Sequence, residues 1–234
     1  MIAKDAAEMD QRKRIAIYGG TFDPVHSGHL TIARRVSQLF AIDEFLFVPA
    51  RVAPHKLDKE VSSSLHRYAM LALATQKEPH LRVSTFELDG AERQYTVDTL
   101  FHFRSQLGQS ADMFFVMGAD SWLEIKIWRE WQRLMTLANL IVVTRPGYEF
   151  DDTHGPETAK TTDVRGLTHE SVEAKVEAGK PKIFITDAVM LDVSATAVRQ
   201  AARDDRGDSL EKLVPLEVAD YIRKYRLYRN TNEA

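Results

Sequence analysis

Two histidines three residues apart, His26 and His29, close the string Gly19-Gly20-Thr21-Phe22-Asp23-Pro24-Val25-His26-Ser27-Gly28-His29. The β-rich run Arg14–Tyr18 precedes it. The apolar residues Leu30, Ala33, Val36 and Leu39/Phe40 follow at helical spacing. The unit therefore reads as strand, glycine turn, helix. Glycines let a backbone approach a ligand closely, and a helix start presents free N–H groups to an anion. A neutral imidazole donates one hydrogen bond and an imidazolium two, and both suit phosphate oxygens. The chemistry this string fits is polyphosphate binding. A plain capping turn is the better reading of either histidine alone, and the whole string favours phosphate. Zinc binding is the weaker alternative, because helical zinc pairs more often stand at i, i+4 with a third ligand nearby.

A second constellation lies late in the chain, Asp192-Val193-Ser194-Ala195-Thr196-Ala197-Val198-Arg199. Serine and threonine at a helix start cap it or hold phosphate oxygens, and an arginine one turn in offers a planar cationic fork. By itself this is an ordinary cap with a solvated arginine. Its meaning comes from pairing with the histidine string.

These residues need a scaffold. Strand candidates at Arg14–Tyr18, Phe45–Val48, Leu81–Phe86, Met113–Met117, Leu140–Thr144 and Ile183–Thr186 alternate with helical patterns. The helices are expected after His29 and over Ser64–Ala74, Thr96–Leu107, Leu123–Ala138 (in two pieces), Thr196–Arg203 and Pro215–Tyr225. Strand–helix alternation with short connections predicts an α/β fold, a Rossmann-like doubly wound parallel sheet with helices on both faces and a C-terminal helical segment. Residues 1–13 read as a polar tail and 14–234 as a single domain. Tyr148–Lys182 is polar and glycine- and proline-punctuated, and reads as a surface insertion with one short helix around Glu170–Ala178.

The chain has no cysteine, which excludes disulfides, thiolate metal sites and cysteine nucleophiles. Its net charge of −3 shows no bulk basic character of the kind that attracts nucleic acid. No apolar stretch is long enough to span a bilayer, and Met1–Arg14 has no apolar core like that of a secretory signal. The expected setting is the cytoplasm, with neither nucleic acid nor membrane as partner. Monomer, dimer or higher homo-oligomer stays open.

Gly20–Leu30 and Val193–Arg199 resemble the two signature motifs of the nucleotidyltransferase superfamily that shares a histidine-containing nucleotide-binding fold with class I aminoacyl-tRNA synthetases. Within it the chain is similar to the bacterial nicotinate-nucleotide adenylyltransferases. The likeness covers most of the chain. It is carried further by Pro49-Ala50, Pro54-His55-Lys56, Tyr95-Thr96-Val97-Asp98-Thr99-Leu100, Gly118-Ala119-Asp120-Ser121-Trp122, Trp128 and Thr144-Arg145-Pro146-Gly147. It departs from the family in two places. Ala195 stands where a second serine is common, and Tyr148–Lys182 is longer than usual.

The resemblance implies that ATP and nicotinate mononucleotide give nicotinate adenine dinucleotide and pyrophosphate, with Mg²⁺ bound mainly through the ATP phosphates. It implies catalytic roles for His29, His26, Lys56 and Arg199. It puts ATP against Gly19, Gly20, Thr21, Phe22, His26, His29, Gly118, Asp120, Ser194, Thr196 and Arg199. It puts the acceptor against His55, Lys56, Thr96 and Trp128, with the indole stacked on the pyridine ring. Trp122 and Trp131 are expected to pack, and Thr96 and Asp98 could equally cap a helix. Arg145 either helps shape the nucleotide site or belongs to a plain turn. The rival readings are a nicotinamide-mononucleotide or dual-specific enzyme, a pantetheine-phosphate enzyme of the same superfamily, and a non-catalytic nucleotide sensor.

Overall fold

Along the strand Ala111–Gly118, Met113, Phe115 and Met117 alternate with Phe114 and Val116, and all five are buried. An extended chain sends successive side chains to opposite faces, so such a run needs cover on both sides. Two separate apolar clusters supply it. Phe114 and Val116 join the cluster built on Leu30, Val36, Phe45, Phe47 and Val218, whereas Met113, Phe115 and Met117 join the one built on Leu100, Trp122, Ile125 and Leu134.

The protein is described by a computed structural model covering residues 12–51, 61–90, 94–144, 161–177, 180–187, 193–204 and 207–229. The strands are β1 (Lys13–Gly20), β2 (Glu44–Pro49), β3 (Leu81–Val83), β4 (Ala111–Gly118), β5 (Asn139–Val143), β6 (Thr161–Asp163) and β7 (Ile183–Thr186). Among the described residues they form one sheet of seven, all parallel, in the order β3-β2-β1-β4-β5-β7-β6. The helices are α1 (Ser27–Leu39), α2 (Ser64–Thr75), α3 (Phe86–Asp89), α4 (Thr96–Leu107), α5 (Ala119–Leu123), α6 (Trp131–Leu137), α7 (His169–Glu173), α8 (Ala195–Arg203), α9 (Gly207–Leu213) and α10 (Leu216–Lys224). The expected doubly wound architecture and its C-terminal helices are both present. Chain order reverses between β1 and β4, and ligands of open α/β sheets bind at the carboxyl ends of strands flanking such a point.

Four places differ from expectation. β3 stops at Val83 because Ser84 and Thr85 turn the chain: Ser84 Oγ accepts from the Phe86 N–H (3.2 Å) and Thr85 Oγ1 donates to Asp89 (2.7 Å), starting α3. Within the stretch read as a surface insertion, Thr161–Asp163 pairs with β7, and Val164 and Val172 are buried. The short helix there is α7, and Glu173 on it forms a two-pronged ion pair with Arg14 of β1. α9 carried no signal that the sequence reading used. At the amino end, Lys13 already belongs to β1 and Arg12 pairs with Asp112 at 3.0 Å.

Candidate active site

β1 delivers the glycine loop and α1 begins directly after it. His26 is the residue before the helix, with φ −143° and ψ 170°. Its backbone N–H donates to Nδ1 of His29 at 3.2 Å, and the His29 N–H donates to the His26 carbonyl at 2.9 Å. The two imidazoles stack with centroids 3.7 Å apart. An imidazole whose Nδ1 accepts a backbone N–H carries its proton on Nε2 in the neutral form. The capping role and the phosphate-donor role of His29 are therefore compatible, because they use different nitrogens.

Two glycines fit this packing. A Cβ on Gly28 would lie 3.1 Å from the His26 ring, and one on Gly20 would lie 2.9 Å from the Phe22 ring. Phe22 itself is buried, stands edge-on to His29 at 5.0 Å, and adopts φ +49°. Its side chain supports His29 from the core. Tyr18 lies 6.0 Å from His29, and burial pushes its hydroxyl pKa up.

Across the switch point β4 ends at Gly118, and Asp120 stands in the first turn of α5. A cavity of about 240 Å³ brings His26, Gly28 and His29 together with Gly118, Asp120, Thr144, Val193, Ser194 and Ala195. Residues from both sequence constellations and from the end of β4 thus face one space. Ser194 caps α8, its Oγ accepting from the Ala197 N–H at 3.1 Å. Arg199 donates to the Asp23 carbonyl (2.7 Å) and to Thr196 Oγ1 (3.1 Å), tying the late motif to the histidine loop. Ala195 lines the cavity, so the departure from the family pattern falls where a hydroxyl would face that space. Gly19, Gly20 and Thr21 lie on the strand end and loop behind it.

Thr96 and Trp128 stand apart from this cavity. Thr96 opens α4, where the Tyr95 N–H is capped by Asp98 at 3.2 Å. Trp128 packs edge-on against Phe115 of β4 at 6.4 Å, with its Nε1 enclosed and without a hydrogen-bond partner among the described residues. The Arg129 guanidinium sits over the Tyr95 ring at 4.8 Å, so the segments bearing Thr96 and Trp128 adjoin. Trp122 is fully buried and Trp131 packs on the same cluster, as expected. His55, Lys56, Arg145 and Asp192 lie outside the described residues. No described group of three or more His, Asp or Glu side chains is placed to hold a metal ion.

Two residues escaped the sequence reading. Arg67 on α2 is only 1% exposed and donates to the backbone carbonyls of Thr21 (2.7 Å), Ser62 (3.0 Å) and Arg51 (3.3 Å). Burial lowers its pKa, and the nearby Asp23 opposes that shift. A signal existed: Arg67 shares a helix face with Met70, Leu71 and Ala74, where a charge is out of place. The other is Tyr228, whose hydroxyl donates to Asp23 Oδ1 at 2.7 Å and whose pKa is raised by burial and then by the Asp23 charge. Nothing in its local sequence marks it.

A parallel sheet with a glycine loop, a helix start and a carboxylate meeting at its switch point defines an α/β nucleotide-binding fold. A model of the cytidylyltransferase-like family matches residues 17–201. The "Probable nicotinate-nucleotide adenylyltransferase" of Thermoanaerobacter sp. (strain X514) is 35% identical over 96% of this chain and 99% of its own. The protein of the same name from Nocardioides sp. is 37% identical over 90% and 91%. A Plasmodium falciparum nicotinic acid mononucleotide adenylyltransferase complexed with NaAD shares the fold, with a TM-score of 0.67 at 22% identity over 92% of this chain and 97% of that one. The chain belongs to the cytidylyltransferase-like family and, within it, to the nicotinate-nucleotide adenylyltransferases. Among the described residues no helix is long and apolar enough to cross a membrane.

Proposed function

We propose that the protein joins ATP to nicotinate mononucleotide, forming nicotinate adenine dinucleotide and releasing pyrophosphate, in the biosynthesis of NAD. The observation that carries this reading is the single cavity shared by His26, His29, Asp120 and Ser194 at the carboxyl ends of β1 and β4. An oxygen of the acceptor's 5′-phosphate forms a bond to the α-phosphorus of ATP. The bond from that phosphorus to the bridging oxygen of the β-phosphate breaks, and its electron pair leaves with pyrophosphate. Such a displacement needs no protein nucleophile. It needs two anions held in line and their charge neutralised.

The resemblance supplies the roles, and the cavity lining supports those of His26, His29, Gly118, Asp120 and Ser194. His29, with Nδ1 engaged by the His26 N–H, directs its Nε2–H to the α-phosphate as charge develops there, and His26 assists. Ser194, Thr196 and Arg199 hold the β- and γ-phosphates, with Gly19, Gly20, Thr21 and Phe22 forming and supporting the loop beneath. Gly118 and Asp120 receive the ribose hydroxyls. Lys56 and His55 meet phosphate charge from the acceptor side, and Thr96 and Trp128 receive the pyridine ring. A Mg²⁺ ion carried mainly by the ATP phosphates and water would supply charge neutralisation there. This reading treats 14–234 as one nucleotidyltransferase domain working in the cytoplasm on small molecules.

The test is pyrophosphate release from ATP and Mg²⁺ with nicotinate mononucleotide and nicotinamide mononucleotide in parallel. Much higher kcat/KM with the nicotinate form is expected. Comparable release with both makes the enzyme dual-specific. No release with either, from folded protein that binds ATP, overturns the reading.

A further inference from the structure

Beneath the histidine loop lies a buried polar knot in which Asp23, Ser62, Arg67 and Tyr228 do not line the cavity. The loop Thr21–Asp23 leaves β1 and must hold its course until α1 begins, and side chains from distant segments hold it. Arg67 of α2 takes the Thr21 carbonyl, Arg199 of α8 takes the Asp23 carbonyl, and Tyr228 takes Asp23 Oδ1. The Ser62 N–H donates to Asp23 Oδ2 at 3.3 Å, and Arg67 closes the ring by donating to the Ser62 carbonyl. Asp23 is 3% exposed. Its carboxylate is the charged group that offsets the buried Arg67.

A guanidinium in an apolar helix face is a poor choice for stability, because an apolar side chain there avoids its desolvation. Its planar fork does what an apolar residue does not: it fixes carbonyls of several segments at once. Tyr228 is similarly specific. It lies past the end of α10 in a tight turn, with Arg226 at φ +50° and Tyr228 at φ +68°, pinned where the Leu227 N–H donates to the Ile222 carbonyl at 3.0 Å.

We propose that Arg67 and Tyr228 are positioning residues for the reaction, acting through the Thr21–Asp23 backbone to set the placement of His26 and His29. The proposal rests on the adenylyltransferase reading for its kinetic effect and on geometry alone for its structural one. Misplacing a reacting group by an ångström or less costs up to about a hundredfold in rate.

The experiment compares the full-length protein with Tyr228→Phe, which removes one hydroxyl, and Arg67→Lys, which keeps the charge and loses the fork. Arg34→Lys, in an exposed ion pair with Glu78, is the control. Steady-state pyrophosphate release is read beside the side-chain ¹⁵N–¹H correlation signals of the two histidines. Folded Tyr228→Phe is expected to lose roughly tenfold in kcat, with both KM values within about twofold, and to shift the His29 imidazole signals. Arg67→Lys is expected to lose more, and if it does not fold Tyr228→Phe decides. Wild-type kcat with unmoved histidine signals in Tyr228→Phe overturns the proposal. A wild-type protein without turnover overturns the reaction instead, and the histidine signals then judge the positioning claim.

Discussion

The side of the site proposed to hold the phosphates and the side proposed to hold the acceptor are built differently. On the phosphate side the polar side chains are already engaged with backbone or with each other. His29 accepts the His26 N–H, Ser194 accepts the Ala197 N–H, and Arg199 spans Thr196 and the Asp23 carbonyl. On the proposed acceptor side Trp128 rests on Phe115 with its indole N–H unpartnered among the described residues, and the segment bearing it is joined to that bearing Thr96 by Arg129 over Tyr95. The first arrangement places donors before any ligand arrives, which is what stabilising developing charge requires. The second presents an aromatic surface whose contribution comes with burial of a ring. Preorganised donors act on kcat, and a stacking surface acts on binding.

The sharpest way to break this comparison is His29→Ala. It is expected to lower kcat at least ~10²-fold with the fold intact, on the scale of removing a transition-state donor. Steady-state kinetics alongside circular dichroism checks it, and near-normal turnover by a folded variant sinks the assignment. Arg199→Ala comes next. Loss of a hydrogen bond to a charged group is worth about 1.5–3 kcal/mol, or roughly ten- to a hundredfold in kcat/KM for ATP. Because Arg199 also holds the Asp23 carbonyl, its loss should disturb the loop as well as the phosphates, and an effect confined to the acceptor KM would contradict its placement. Trp128→Ala should be milder. Aromatic stacking contributes about 0.5–1.5 kcal/mol beyond burial, so the acceptor KM should rise roughly 2- to 13-fold while the KM for ATP stays put. Unchanged acceptor kinetics would return Trp128 to a packing role against Phe115.

The same division explains what was legible in the sequence. The phosphate side is local: a glycine loop and a helix start are written in consecutive residues, so His26, His29, Ser194 and Arg199 could be singled out by spacing and type. The alternation of Met113–Met117 and the period of Thr96–Leu107 likewise announced β4 and α4. What failed to show is non-local. β6 is three residues, Thr161–Asp163, with no apolar side chain, and it is a strand only because β7 offers it an edge. The Arg14–Glu173 pair and the Tyr228–Asp23 bond join residues far apart in the chain, and no periodicity marks such partners. Arg67 was readable as a charge on an apolar face, but its target, the Thr21 carbonyl, was not. The Leu81–Phe86 strand was overextended because Ser84 and Thr85 used their hydroxyls to start α3.

The smallest expected effect contrasts the charges buried under the two sides. Under the phosphate loop the buried group is a cation, Arg67, with Asp23 nearby. Under α4, the helix proposed to face the acceptor, it is a half-buried acid: Glu87 of α3 accepts a hydrogen bond from Thr99 of α4 at 2.7 Å, and partial burial raises its pKa despite that bond. A carboxyl whose folded pKa is raised is most compatible with the fold when protonated. Relative to the unfolded chain, its favourable contribution is complete below the unfolded pKa and is lost as pH rises through the folded one. Glu87→Gln keeps an oxygen for the Thr99 hydroxyl and removes the charge. The variant should match the wild type in Tm at pH values below the ordinary carboxyl range and exceed it at pH 7, with the gap opening as pH rises. Thermal melts across that range check the sign. A gap that opens in the opposite direction would mean that the ionised Glu87 has a compensating cation, and that the two sides carry their buried charges on equal terms.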